Sequence, residues 1–181
     1  MNSLSINLSP TETYKFCPKC AGTFEYKGGN WLNCTKCGYN FFVNAAVTPG
    51  ALICNGKNEV LLVKRKFEPN KGAWQIPGGF AKPDETYEEA LRREIEEELD
   101  VKIKLGAFVA SHPMDYLYGG VLLPILCMYT AAEIVSGDII ARDDVAEARF
   151  FSLEEVLKLN LNAPEQPMII KNFLEQREKE L

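Results

Sequence analysis

Three glutamates in one short stretch of the chain have the spacing of a metal-binding carboxylate cluster. Glu94, Glu97 and Glu98 stand at i, i+3 and i+4, so a helix over 86–99 would place their carboxylates on one face. Like charges at this spacing repel one another, and a divalent cation would remove that cost. Oxygen ligands suit the hard ions Mg²⁺ and Mn²⁺, which can bridge phosphate oxygens and activate a water. Taken alone, the same pattern also fits an acidic helix face exposed to solvent.

Four cysteines near the N-terminus form a second group with metal-ligand spacing. Two C-x-x-C pairs, with thirteen residues between them, supply the four thiols: Cys17, Cys20, Cys34 and Cys37. Two intervening residues allow a tight turn in which both sulfurs of a pair reach one ion. Four protein ligands leave no open position, so the pattern predicts a structural site, with Zn²⁺ favoured over iron. Two disulfides, or four unrelated core thiols, are the alternative interpretations. The remaining thiols, Cys54 and Cys127, are predicted to be buried and inert.

The stretch that contains the glutamates resembles the Nudix box. The matching positions are Gly79, Glu85, Arg93-Glu94, Ile95 and Glu97-Glu98, and residues 74–79 are similar to the usual entry to this motif. One position departs from it, because Asp100 stands where the box has Gly. The resemblance implies an α/β fold, the Nudix α/β/α sandwich with a mixed β-sheet, preceded here by a small zinc-ribbon module.

The same resemblance implies a role for each residue of the box. Glu97 and Glu98 would bind the catalytic Mg²⁺ or Mn²⁺, and Glu94 would bind metal or act as the general base on the attacking water. Arg93 would hold Glu94 in place, and the carbonyl of Gly78 would complete the metal shell. These five residues are therefore the candidates for catalysis and for the catalytic metal.

Other residues are weaker candidates for the same site. Glu85 would support the junction between the loop and the helix. A later acid often assists in the family, and the candidates here are Asp143, Asp144 and Glu147. Arg65, at the end of a predicted strand, could bind a substrate phosphate or ribose, and a solvated strand end is the alternative. Tyr116 could stack on a substrate ring, although aromatic packing in the core is the commoner fate.

Hydrophobic periodicity predicts the elements that would position these residues. Strands are predicted over 45–54, 60–64, 101–111, 121–131 and 149–151, with a short extended segment at 74–77. Helices are predicted over 86–99, from Ser152 to about Lys158, and over about 165–179. Leu91, Ile95 and Leu99 form an apolar stripe that would anchor the first helix in the core. The predicted domains are a flexible leader, 1–13, the zinc ribbon, 14–44, and the hydrolase domain, 45–181.

Composition and charge narrow the function classes. The 181 residues are 46% hydrophobic and 25% charged, as in ordinary globular proteins. The sequence predicts no membrane span and no signal peptide, and its six cysteines favour a reducing, cytoplasmic compartment. The net charge of −5 argues against a dedicated nucleic-acid binder. Residues 1–44 nevertheless carry a balance of +2, which leaves −7 on the remainder.

The substrate class follows from resemblance rather than from composition. A zinc ribbon before a Nudix domain is similar to the NADH pyrophosphatase group, but residues 111–117 lack the Trp and the later Pro residues of its motif. We expect a nucleoside diphosphate linked to another group, of the ADP-ribose, NADH or FAD class, to be cleaved into two monophosphates. The alternatives are an RNA-end (cap) processing enzyme and a non-catalytic nucleotide-binding module. Relatives that pair also make a homodimer an expectation.

Overall fold

The computed structural model describes residues 9–180. They fall into two compact units, one made of the residues up to Ala46 together with Pro113–Leu126, and the other of Val47–His112 and the residues from Cys127 onward. Within the predicted leader, residues 1–8 lie outside the described residues, and Pro10–Thr13 forms a single-turn helix, α1. No helix in the described range is long and apolar enough to span a membrane.

The first unit contains a small antiparallel sheet. Its strands, in the order β1-β2-β3, are Phe24–Gly28, Trp31–Cys34 and Asn40–Phe42. On one face the rings of Tyr14 and Phe24 both contact Phe41, with centroids 5.9 Å apart, and Leu32 is buried. One cysteine pair lies in the turn before β1; of the other pair, Cys34 ends β2 and Cys37 lies in the turn that follows. So few buried side chains cannot hold a fold alone, and the module needs a cross-link or a metal.

Two three-stranded sheets organise the second unit. The strands are β4 (Ala46–Ile53), β5 (Val60–Arg65), β6 (Trp74–Gln75), β7 (Lys102–Tyr118), β8 (Val121–Ser136) and β9 (Val145–Phe151). Their orders are β4-β8-β7 and β6-β5-β9, and β7 and β8 continue into the first unit. An antiparallel bridge joins Gly50 to Gly78, and a parallel bridge joins Trp74 to Leu161. The helices are α2 (Tyr87–Leu99), α3 (Leu153–Val156) and α4 (Gln166–Glu180).

Helix α2 is anchored by the apolar stripe that the sequence predicts. Leu91, Ile95 and Leu99 are fully buried and pack in one cluster with Ile53 of β4 and Val63 of β5. Thr86 caps the helix by accepting from the Glu89 N–H, while the Glu89 carboxylate accepts from the Thr86 N–H. The cap fixes where the helix begins, and the stripe fixes which way its carboxylates point.

Strands β7 and β8 are longer than the sequence predicts. The prediction ended the first of them at residue 111, before Pro113, and began and ended the second at 121 and 131. In the structure β7 runs through Pro113 to Tyr118, and β8 runs on to Ser136. A proline is tolerated in β7 because this strand lies at the edge of its sheet and pairs on one side only. Gly119 and Gly120, both at positive φ, form the turn.

Asp100 adopts the backbone conformation that the glycine of the motif would provide. It ends α2 in the left-handed region, at φ 59° and ψ 28°, and its N–H donates to the carbonyl of Glu96. Its carboxylate also accepts from Arg142 at 2.6 Å. The substitution of Asp for Gly is therefore accommodated without a change in where the helix ends.

We expect Asp100→Val to lower the free energy of unfolding by about 1–2 kcal/mol, because a β-branched residue is strained in the left-handed region. Asp100→Asn is the matched control, since it removes the same charge but tolerates that backbone. Urea unfolding of both variants measures the difference. Equal losses would show that the bond to Arg142, rather than the backbone, determines the effect.

Candidate active site

The loop between β6 and α2 holds the backbone of Gly78 against β4. Gly78 lies at φ 135° and pairs with Gly50, and a Cβ on Gly78 would collide with the carbonyl of Pro49. Only glycine fits this combination of positive φ and close backbone approach. The Gly78 N–H is thereby aimed at the first carboxylate of the site.

Glu98 is a buried carboxyl group in contact with this loop. Its side chain accepts from the Gly78 N–H at 2.9 Å, and the residue is 3% exposed. Burial raises the pKa of Glu98 well above its ordinary value, and the nearby charges of Asp144 and Glu94 raise it further. A buried acid among other acids is costly, and a bound cation would offset that cost.

Arg93 links three glutamates of the site. Its guanidinium binds both carboxylate oxygens of Glu85, and its Nη1 donates to Glu94 at 2.7 Å and to Glu97 at 2.9 Å. The hydrogen bonds from Arg93 hold the pKa of Glu85 at about 2. The fork of Arg93 also donates to the Phe80 carbonyl, which ties the loop to the helix.

Glu94 lies in a cradle made by the second glycine of the loop. A Cβ on Gly79 would stand 2.5 Å from a carboxylate oxygen of Glu94, so any side chain there would displace this group. Burial raises the pKa of Glu94, and the charges of Glu97 and Asp144 act in the same direction, against the hydrogen bond from Arg93. Glu94 therefore binds a proton more readily than an ordinary surface glutamate does.

Glu97 is the exposed member of the set. Its side chain is 46% exposed, and Lys82 lies 3.9 Å from its second oxygen. Among residues 9–180, the four cysteines have their ligand atoms within 4.8 Å of one another, and the carboxylates of Glu94, Glu97 and Glu98 do not converge to that extent. Arg93 and Lys82 both form ion pairs with the Glu97 carboxylate.

Of the three later acids, Asp144 has the largest electrostatic effect on the glutamates of the site. Its field raises the pKa of both Glu98 and Glu94. Asp143, at φ 49°, influences Glu98 less strongly. Glu147 lies within β9 and forms an ion pair with Lys64 at 3.4 Å. The sequence could not separate these acids, because the β5–β9 pairing decides which of them faces α2.

The two residues predicted to bind substrate are placed in different units. Arg65 donates to the Pro69 carbonyl at 2.8 Å and to the side-chain oxygen of Gln75 at 3.1 Å, so it holds the loop after β5. Tyr116 belongs to the first unit, where its ring lies nearly parallel to that of Tyr118, with centroids 6.4 Å apart. Neither contact tests the predicted roles, which stay predictions.

The four cysteines of the first unit form a tetrad of free thiols. The sulfurs of Cys17 and Cys37 are 3.8 Å apart, and those of Cys20 and Cys34 are 3.5 Å apart. Sulfurs bound at about 2.3 Å to one tetrahedral ion would be about 3.8 Å apart. Burial opposes ionisation of Cys34, but backbone N–H donors outweigh it and lower its pKa to about 6. The tetrad could therefore bind zinc.

Comparison with known proteins decides the family. The model of the NUDIX domain matches residues 45–173. The chain belongs to the Nudix family. Membership confirms the identification made from the box, the expected fold and the reaction class, so the chain is a hydrolase of diphosphate linkages.

Individual Nudix relatives agree with this assignment. An ADP-ribose pyrophosphatase of Methanocaldococcus jannaschii is 36% identical over 138 residues, which cover 75% of this chain and 77% of that protein. The NAD-capped RNA hydrolase NudC of Haemophilus influenzae is 29% identical over 150 residues, 81% of this chain but 54% of its own length. A crystal structure of a NUDIX hydrolase from Nitrosomonas europaea has a TM-score of 0.74 at 24% identity, covering 91% of this chain and 93% of that one.

The raised pKa of Glu98 predicts a pH-dependent penalty on stability. The folded protein binds this proton more tightly than the unfolded chain, so stability is lost as the pH rises above the ordinary value of 4.5. In metal-free protein at pH 8, we expect Glu98→Gln to be more stable than wild type by at least about 1 kcal/mol. The gain should shrink as the pH approaches 4.5.

Urea unfolding across this pH range, in the presence of a chelator, measures the effect. Glu88→Gln is the control, because Glu88 is an exposed glutamate on the same helix. A Glu98→Gln protein with the same pH profile as wild type would contradict the assignment of a buried, electrostatically strained carboxyl.

Proposed function

We propose that the chain hydrolyses a nucleoside diphosphate linked to another group, with ADP-ribose as the first candidate, in a reaction that depends on Mg²⁺ or Mn²⁺. Water would cleave the diphosphate into two monophosphates. The observation that carries this proposal is the buried Glu98 held by the Gly78 N–H, with Glu94 and Asp144 acting on it electrostatically. The similarity to an ADP-ribose pyrophosphatase supports this choice of substrate.

The donor set fits a hard divalent cation. Carboxylates of Glu97 and Glu98 and the carbonyl of Gly78 offer oxygen ligands, and Asp144 is the proposed assisting acid. When bound, the ion would neutralise charge on the diphosphate and lower the pKa of a coordinated water. Glu98 would keep one ligand oxygen fixed, because its contact with the Gly78 N–H holds the side chain in place.

Glu94 would act on the metal or on the attacking water, and Arg93 would hold Glu94 in position. Glu94 is proposed as a metal ligand or as the general base, and burial, which raises its pKa, makes it a better proton acceptor than an ordinary glutamate. Arg93 is proposed as a positioning residue, since it binds Glu94 and at the same time locks onto Glu85. Loading the metal would require Glu97 to exchange its bond with Arg93 for the ion.

The tetrad of cysteines is proposed to hold one structural Zn²⁺. Four thiolates would saturate the ion, so this site would contribute folding energy to residues 14–44 and no chemistry to the reaction. The domain limits predicted at 13–14 and 44–45 stay part of this proposal.

Processing of RNA ends is the second candidate function. It is favoured by the similarity to the NAD-capped RNA hydrolase NudC, although this chain spans about half of that protein. A non-catalytic binding module is disfavoured because the box retains Glu94, Glu97 and Glu98. The homodimer remains a prediction.

We expect Glu97→Gln to lose at least about 100-fold in kcat/KM, because a neutral amide is a poor ligand for the ion that activates water. A panel with ADP-ribose, NADH, FAD, dinucleoside polyphosphates, nucleoside triphosphates and capped RNA, each with Mg²⁺ and with Mn²⁺, measures the loss. Glu96→Gln is the matched control, since Glu96 is an exposed neighbour on the same helix. Full activity of Glu97→Gln would refute the mechanism, and hydrolysis of capped RNA alone would favour the second candidate.

We expect the purified chain to contain about one tightly bound zinc ion, and Cys34→Ser to lose it, because the tetrad would then have three thiolates. Elemental analysis measures the zinc, and limited proteolysis reports on the fold of residues 14–44. Cys54→Ser is the control, since Cys54 lies outside the tetrad. Wild-type protein without zinc would remove the metal-site proposal.

A further inference from the structure

The sheet of the first unit has a second face that carries aromatic and amide side chains. Trp31 pairs with Phe42 across β2 and β3, and Asn33 pairs with Asn40 two residues further along β2. Side chains alternate along a strand, so these four lie on the face opposite Leu32 and Phe41. We call this block of Trp31, Asn33, Asn40 and Phe42 the ribbon face.

The aromatic half of the ribbon face is open to solvent. Trp31 is 38% exposed and Phe42 is 50% exposed, and their rings lie nearly parallel, at 18°, with centroids 6.1 Å apart. Phe16 and Tyr26 of the same unit are exposed as well, but Trp31 and Phe42 form a parallel ring pair beside two amide side chains. Exposed, parallel rings are the surface on which planar bases stack.

The amide half of the ribbon face is oriented by its own hydrogen bonds. The side-chain oxygen of Asn40 accepts from the Trp31 indole N–H at 3.0 Å and from the Asn33 amide at 2.7 Å. Asn33 also donates to the Gly38 carbonyl at 3.3 Å. Within residues 9–180, the network leaves Nδ2 of Asn40 and Oδ1 of Asn33 without a partner. One donor and one acceptor are therefore fixed beside the rings.

This combination matches an unpaired nucleobase better than it matches an apolar protein surface. A base can stack on the rings and use its edge to accept from Asn40 and donate to Asn33. An apolar partner would bury both amide groups without hydrogen bonds, at a cost. The charge distribution also favours a nucleic acid at the ribbon face. Residues 1–44 carry a net charge of +2 and the remainder −7, so a polyanion is repelled less by the first segment than by the rest of the chain.

We propose that the ribbon face binds single-stranded RNA by stacking one or two of its bases on Trp31 and Phe42. RNA is favoured over DNA because its bases are commonly unpaired in loops and at ends, whereas those of DNA are held in duplexes. Lys27, which forms an ion pair with Glu25 at 2.8 Å on the neighbouring strand, is the nearest candidate on that strand for a phosphate contact. The ribbon face and the hydrolytic residues belong to different units, so binding to the ribbon face is measured without hydrolysis.

The test uses the full zinc-loaded chain, a short unstructured RNA oligonucleotide and no divalent catalytic metal. Trp31 and Trp74 are the two tryptophans of the chain, and Trp74 is buried, so base stacking should quench the fluorescence of Trp31. We expect Phe42→Ala and the volume-conserving Phe42→Leu to weaken RNA binding by about tenfold or more. Phe16→Ala, which removes another exposed aromatic of the same unit, should bind as wild type.

Zinc content and ADP-ribose hydrolysis, both unchanged, would show that each Phe42 variant is folded. If Phe42→Ala loses zinc, the RNA affinity of Phe42→Leu alone decides whether the ring of Phe42 is needed for binding. Wild-type affinity in Phe42→Leu, or an equal loss in Phe16→Ala, would each overturn the proposal. So would a wild-type chain that ignores RNA but forms a dimer that Phe42→Leu dissociates, because the face would then bind a second copy.

Discussion

Electrostatic repulsion among acids that the fold forces together is the constraint on which the hydrolytic unit depends. Glu98 is buried, and Glu94 and Asp144 each make its ionisation harder. Such an arrangement is unfavourable by itself and persists only because the surrounding structure fixes it. The buried stripe of α2 anchors the helix, and the β5–β9 pairing fixes the residues that follow Asp144. The unit gives up stability for a set of oxygens that a cation would bind.

Arg93 offsets part of the repulsion among these carboxylates. Its guanidinium binds the carboxylates of Glu85, Glu94 and Glu97. The bonds to Glu85 hold the pKa of that carboxyl at about 2. The bond to Glu97 occupies one oxygen of a proposed metal ligand. Binding of a cation and release of Glu97 from Arg93 would therefore be coupled, so the affinity for metal depends on a residue that is not itself a ligand.

The sequence predicted the parts of the site that depend on local periodicity. The apolar stripe of Leu91, Ile95 and Leu99 and the helix that contains them depend on one segment of sequence, and the structure confirms both. Asp144 could not be chosen from sequence, because its position depends on strand pairing. The ion pair of Glu97 with Lys82 could not be predicted either, because it depends on how the loop before α2 folds.

The first unit differs from the hydrolytic unit, because a metal ion rather than packing on both faces of its sheet would stabilise it. Four sulfurs at 3.5–3.8 Å within each contact pair suit one ion, and an ion would replace the missing core. If a metal supplies the folding energy, the ribbon face does not have to pack against another part of the protein. That freedom gives a physical reason why Trp31 and Phe42 can remain exposed beside an ordered amide network. A module stabilised by apolar packing would have buried them.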